Sequence, residues 1–478
     1  MDSVRRAEFL AKPKVKAAVA TIAEVLKEVV AGGTFAENEV AVLAVTGEAV
    51  RTVLEDGLQQ LADGFGDVVL VEGIAFKRHE PGTVIVHSLC GPLRPRRFTF
   101  RQVGVHNGPT VDPMALAAGL VEGATPALAY SVAHGYAQHD MRAHVEALEA
   151  AERIAPPRAT LERMAKRIAE RADEIAPQVE PMLRRTEAVP EGACAVCLGL
   201  DRTAALMDEN RPADAPPKPA RKRRKPRVRR APPPKDTNWR MAYVGTVSLV
   251  DAAGEQLLTR RYAAPACDDP NELMARMCAD VEAAVRRAPH LDVGIVQDGA
   301  PEMWNVCRAG LERLVERGVI SGWLEAIDRY HLLERLAAAL VIVEPEPDAR
   351  RARLEDWRAR LDVDYSAIDK IEHFLLQRYD QIDPPKQPQL WEHLRYLQNN
   401  KDRMRYAALR CVGLPVGSGV TESAAKTVVG RRAKNAGQRW SEPGLRGVLT
   451  LRALHQSQRL PRFWTRFSRR YTREVQAA

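Results

Sequence analysis

The 478-residue sequence reads as an α/β protein: a mixed-sheet domain interrupted by a helical insertion, preceded by a mainly α-helical region with a small β element. Three observations predict this. From residue 189 onward, short β-type runs alternate with amphipathic helical stretches, and several of the runs end on an aspartate. Between about 330 and 412 the pattern is helical, charged and leucine-rich. Ahead of residue 188 helical periodicity dominates and gives way to β-type runs only around 68–103.

At roughly 100–200 residues per domain, the length allows about three domains. Hydrophobic residues make up 45% of the chain, enough to build packed cores. The formal charge of +9 suits a polyanionic partner without identifying one. No apolar run reaches the roughly 18–20 residues of a membrane span, and the first residues lack a secretory pattern, so no membrane partner is expected. Cys90, Cys194, Cys197, Cys267, Cys278, Cys307 and Cys411 are odd in number and scattered, which argues for a reducing, cytoplasmic setting rather than a disulfide framework.

Taken in order, residues 14–30 and 37–62 predict helices, the first ended by Gly32 and Gly33. The runs over 68–103 predict a small β element, and they complete a first region, 1–112. His87 and Cys90 within it lack the second pair that a zinc ribbon needs. A second region, 113–188, is helical. There a turn and a helix over 156–171, with Thr160 as N-cap and Arg163, Lys166 and Arg167 outward, follow a helix around 140–153. The pair suits a helix-turn-helix reading DNA and equally a plain helical hairpin.

The third region, 189–460, opens with a buried strand over 192–201 that ends on Asp201; its Cys194 and Cys197 suit core packing better than a metal. A basic loop over 212–235 follows, in which eight of the ten residues 221–230, including Arg221, Lys222, Arg223, Arg224 and Lys225, are Lys or Arg between prolines, a composition suited to phosphate contact. Residues 239–251 and 255–263 predict an antiparallel pair, 271–287 a helix, and 291–298 a strand ending on Asp298. Then come a helix over 301–317, a strand over 322–328 ending on Asp328, and the helical insertion with one proline-bearing break at 383–388. Gly417-Ser418-Gly419 leads into a final helix from about Thr421 to Gly437, and a basic tail, 461–478, closes the chain.

Acids at strand ends and near a helix start can converge on one rim of a sheet. Carboxylates gathered there repel one another, divalent cations relieve the repulsion, and magnesium prefers such oxygen ligands. Two such ions can activate an attacking oxygen and stabilise a leaving one in phosphoryl transfer.

The segments 295–304 (IVQDGAPEMW), 326–336 (AIDRYHLLERL) and 416–441 (VGSGVTESAAKTVVGRRAKNAGQRWS) together resemble DDE transposases of bacterial insertion sequences, of the ISKra type related to Mutator-like transposases. The resemblance runs from about residue 194 to 459 and is most specific in GSGxxE, the basic helix and GQRW. It implies an RNase H-like catalytic domain, two Mg²⁺ or Mn²⁺ ions, and double-stranded DNA (element ends and target) as partner. It also implies a homodimer or higher oligomer, associated with the nucleoid. By the same match Asp201, Asp298 and Glu422 would be the catalytic and metal-holding acids, with Asp328 and His331 accessory. The first acid departs from the family's Asp-Gly, being followed by Arg202, and Asp251 competes for the role. Lys426, Arg431, Arg432, Lys434 and Arg439 would contact phosphate. Trp440 would either stack on a base or cap the core. A structure-selective nuclease of the same fold and a catalytically silent DNA-binding descendant are the alternatives.

Overall fold

The computed structural model describes residues 11–30, 33–210, 235–265, 268–435 and 437–477, which form two compact units, 169–464 and 1–168 with 465–478. The basic run 221–225 lies outside the described residues. Among the described residues, no helix is long and apolar enough to cross a membrane.

The larger unit is built on a five-stranded mixed sheet. Its strands are β1 (Ala195–Asn210), β2 (Lys235–Val250), β3 (Gln256–Pro265), β4 (Asp292–Gln297) and β5 (Leu324–Ile327), in the order β5-β4-β1-β2-β3. β1 is parallel to β4 and β4 to β5, whereas β2 runs antiparallel to both of its neighbours. Helices α1 (Pro270–Arg287) and α2 (Pro301–Glu316) follow β3 and β4, each opened by a proline in its first turn, where the missing N–H costs nothing. Val196, Leu198, Val293, Ile295 and Ile327 of the strands share one buried apolar cluster with Met277, Leu311 and Trp304 of these helices.

The helical insertion comprises α3 (Arg329–Val343), α4 (Pro347–Val363), α5 (Ala367–Tyr379), α6 (Gln387–Asn400) and α7 (Tyr406–Cys411). It is broken more often than the single proline-bearing break predicts, because Pro347 also starts a new helix after Glu344 caps α3. Leu375, Leu390 and Leu394 place the insertion in the same apolar cluster as the sheet. After it come α8 (Gly419–Ala424), a π-helical turn (Ala425–Gly430), a last short turn (Arg431–Ala433) and α9 (Glu442–Gln456). The single final helix expected to end at Gly437 is therefore interrupted, and α9 was not anticipated.

Several other expectations are corrected. β1 does not stop at Asp201 but continues to Asn210, paired residue by residue with β2 from Ala195–Val250 to Asn210–Lys235. The predicted break at Asp201 is overridden by this pairing, and Lys235, placed in the basic loop, belongs to β2. The helix expected from Thr160 starts at Arg158, and the Thr160 amide already donates to Pro157 within the first turn; the helix runs on to Arg185 through Pro177 and Pro181. The basic tail is a helix (Leu460–Ser468) followed by a strand (Val475–Ala477) that pairs antiparallel with Val68–Val71 of the smaller unit. That strand joins the sheet formed by Ile74–Thr83, Arg96–Gln102 and Thr110–Val111, so the β element extends beyond 68–103. Cys90 and Cys197 are free and buried, and burial pushes the Cys197 thiol up, as core packing requires.

One end of the larger unit is tied by buried charges. Asp280 of α1 accepts from Arg184 Nε (2.6 Å), Arg459 (2.9 Å) and the Tyr262 hydroxyl (2.5 Å), while Arg459 also pairs with Glu187 (2.6 Å). Burial opposes ionisation of Asp280 and Glu187, yet the arginines hold both carboxyls below the usual carboxylate range. Their contribution to stability is complete above pH about 4 and is lost as pH falls through their lowered values. Replacing Asp280 with Ala removes one of two carboxylate partners from each of two buried guanidinium groups, which keep Glu180 and Glu187, and chemical denaturation should show a loss of about 1.5–3 kcal/mol.

Candidate active site

The parallel register fixes the floor of the site. Ile295 lies opposite Leu198, so three residues further Asp298 falls level with Asp201. Gln297 lies opposite Ile327, so the next pair is Asp298 and Asp328. Three aspartates thus stand at one level of three adjacent parallel strands. Asp251 stands at the opposite end of β2, beside the Ala195–Val250 pair, and its carboxylate accepts from the Ala253 and Glu255 amides (2.9 Å each) to close the β2–β3 turn. It has no part in this rim.

Glu422 arrives from far along the chain, and two contacts place it. Asp328, 1% exposed, caps α3 by accepting from the Tyr330 (2.6 Å) and His331 (3.2 Å) amides through one oxygen. Its other oxygen accepts from the Ser418 amide (2.5 Å) and hydroxyl (2.6 Å), which fastens the Gly417-Ser418-Gly419 loop to the end of β5. Burial alone would raise this carboxyl, but the Ser418 hydroxyl and the three amides hold it below its ordinary value. The second contact is at Thr421, whose hydroxyl lies 2.7 Å from that of Thr246 on β2. A Cβ on Gly199 would come within 2.0 Å of the Thr421 hydroxyl, so α8 lies directly on β1 two residues before Asp201.

The result is a cleft of about 670 Å³ whose lining includes Asp201, Asp298, His331, Glu422, Lys426, Arg431 and Lys434. Burial raises the Asp201 carboxyl above its ordinary value; the Arg202 amide, 2.6 Å from its Oδ1, works against this, and the charges of Asp298 and Glu422 add to it. Asp298 accepts from the Ala300 amide (3.0 Å), and its own carbonyl is gripped by the buried Trp304 indole (2.9 Å). Tyr396 of the insertion lies against the next residue, 3.2 Å from where a Gly299 Cβ would stand, and Arg335 sits 4.1 Å over its ring.

Among the described residues, the group whose potential ligand atoms all lie within 4.8 Å of one another is Asp328, His331 and Glu422, not the expected three acids. The donor chemistry separates the two sets. Asp328 spends both oxygens on four N–H and O–H donors, whereas Asp201 and Asp298 each meet one backbone amide and otherwise face the cleft. Asp201 and Asp298 thus keep carboxylate oxygens open to the cleft that Glu422 also lines, whereas Asp328 is a positioning residue. His331 opens on the same cleft, its Nδ1 3.6 Å from Asp328.

The basic residues divide. Lys426 is exposed and 3.5 Å from Glu422, one helical turn away. Lys434 reaches Thr203 on β1 (2.5 Å), and Arg431 and Arg439 are exposed. Arg432, expected at phosphate, is instead buried, and of the two readings of Trp440 its burial favours capping the core. Arg432 stacks on the Trp440 ring at 4.9 Å, and the indole N–H donates to the Ala433 carbonyl (3.2 Å). Trp440 also exchanges backbone hydrogen bonds with Leu206 and Asp208, pinning its segment along the outer half of β1. Both side chains thus cap the core. The π-helical turn frees the Thr427 carbonyl, which accepts from Arg452 (2.8 Å) and Gln456 (3.1 Å) of α9.

Sequence reasoning passed over Ser418, Thr421, Gly199 and Tyr396. A Gly-Ser-Gly just before an acid was the available signal for the first; the others depend on tertiary contact alone. Ser418→Ala should cost about 1.5–3 kcal/mol of unfolding free energy, because it removes a buried hydrogen bond to a charged group. Gly199→Ala should displace α8 and lower the midpoint of chemical denaturation; an unchanged midpoint would show that α8 does not need this close approach. Compared with known protein families and with curated proteins, the chain matches none.

Proposed function

We propose that the chain is a DDE transposase of an insertion sequence, and that its larger unit is an RNase H-like catalytic domain carrying a helical insertion. The observation that carries the reading is the shared level of Asp201 and Asp298 on adjacent parallel strands, with Glu422 brought to the same cleft by α8. A five-stranded sheet with one reversed strand supports the fold assignment. So does the division of labour in which Asp328 anchors the loop ahead of Glu422.

In this reading Asp201, Asp298 and Glu422 hold two Mg²⁺ or Mn²⁺ ions, and these would neutralise charge on a phosphodiester and favour the attacking hydroxyl's ionisation. The chain's own residues do the rest. Lys426, Arg431 and Lys434 offer cations to the DNA backbone beside the acids, with Arg439 exposed near Asp208, and the basic segment 221–225, between β1 and β2 in sequence, would add to that charge. Trp304 and Tyr396 restrain the turn that bears Asp298. The products would be a cut at each element end and the joining of that end to target DNA.

The test is strand transfer in vitro with the element's own terminal repeats, a labelled 3′ end and Mg²⁺ or Mn²⁺. Wild-type protein should join ends to target, and Asp298→Ala should reduce joining by a factor of about 100 or more. Cleavage without joining would identify a nuclease of the same fold. DNA binding without chemistry in the metal-loaded protein would identify a silent descendant.

A further inference from the structure

In the smaller unit the first two described helices, Pro13–Val29 and Phe35–Asp63, touch each other yet present apolar stripes most of whose residues stay exposed. On the first helix Val15, Val19, Ile22 and Leu26 recur at alternating steps of four and three. On the second, Val40, Leu43, Gly47, Val50 and Leu54 recur at steps of three and four, and Gly57 and Leu61 continue the pattern. This is the a/d heptad spacing by which helices pack knobs into holes on another helix. A helix that merely covers a globular core follows the looser 3.6-residue period. The second half of the second helix meets the small sheet, where Leu58 and Leu61 join its core and Glu55 accepts from the Arg94 amide (3.0 Å). Val19, Ile22, Val40, Leu43, Val50 and Leu54 remain 39–54% exposed. Val25 and Val53, beside the stripes, widen the apolar face.

Charge selects the occupant. The first helix and its cap carry Lys12, Lys16 and Lys27 against Glu24 and Glu28. The second carries Glu37, Glu39, Glu48, Glu55, Asp56 and Asp63 against Arg51 alone. One hairpin thus holds both halves of a complementary pair. A twofold axis sets the basic helix of one copy on the acidic helix of the other, twice over, which is the self-complementarity of an isologous interface. The acidic second helix also sets the surface against an anionic membrane or nucleic acid.

We infer that the hairpin formed by Pro13–Val29 and Phe35–Asp63 is the dimerisation element of this protein, and that it docks on the same hairpin of a second copy as a four-helix arrangement. The inference deepens the transposase reading, in which two copies hold two DNA ends. Its test uses neither DNA nor metal, so either can fail without the other.

The measurement is the mass of the full chain in solution by sedimentation or light scattering. Wild type should have twice the chain mass. Ile22→Glu combined with Leu54→Glu should halve it while circular dichroism keeps the helix content. Charge reversal then identifies the partner. A chain made wholly acidic here (Lys16→Glu, Lys27→Glu) and a chain made basic on its second helix (Glu39→Lys, Asp56→Lys) should each lose self-association. Mixed in equal amounts, they should recover the dimer mass, because every basic helix then meets an acidic one across the interface. A monomeric wild type, a mass untouched by the Ile22/Leu54 pair, or folded charge variants that stay monomeric when mixed would each overturn the assignment.

Discussion

A carboxylate almost wholly removed from water holds the candidate site together. Asp328 is the end of one strand, the cap of the helix that follows, and the anchor of a loop 90 residues further along the chain. All of this depends on one ionised group. Taking it out of water is costly, and only its four donors from the Tyr330, His331 and Ser418 backbone and the Ser418 hydroxyl make the charged form stable there. The insertion between the two ends of this tie can be long because its own leucines join the sheet's apolar cluster, so the chain reaching Ser418 is already ordered when it arrives.

From that anchor the rest of the geometry follows by steric fit. Ser418 starts α8, Thr421 seats it in the space left by Gly199, and the hydroxyl pair with Thr246 fixes its rotation about its own axis. Glu422, the next residue, is then turned to the cleft rather than to the sheet. Beyond it the helix takes a π turn, and the carbonyl this frees at Thr427 is met by Arg452 and Gln456 instead of water. Burial of Arg452 on α9, reinforced by the neighbouring Arg432 and Arg431 charges, pushes its guanidinium down to about 10.

Much of this was legible beforehand, for reasons that can be stated. Asp298 and Asp328 each end a short buried run, and an apolar strand stopping on an acid needs no tertiary knowledge to see. Asp201 was legible as a residue but not as a place. It lies mid-strand, because the partner strand, through 16 residues of each chain segment, overrides the local signal of a break. The same blindness to pairing hid the strand Val475–Ala477, a short polar tail until Val68–Val71 lies beside it. Arg432 read as a phosphate contact, and Trp440 stayed open between base stacking and core capping, because a helical pattern does not reveal which face a third element covers. Here that element is the outer half of β1, to which the Trp440 backbone is bonded.

The continuation of β1 past Asp201 has a consequence for how charge is laid out. A strand that ended at the acid would leave the cleft bounded by loops. A strand that runs nine residues further, to Asn210, makes a stiff ribbon with β2 along which the segment bearing Arg439 and Trp440 is bonded, while Lys434 is tied to it at Thr203. Exposed Arg439 and Lys434 are thus held at fixed positions outward from Asp201, and the basic run 221–230 lies between the two strands of the same hairpin in sequence. Phosphate contacts specify position rather than base sequence. In the proposed transposase reading, a cationic track fixed to the strand that carries Asp201 would set where along a DNA backbone that acid acts.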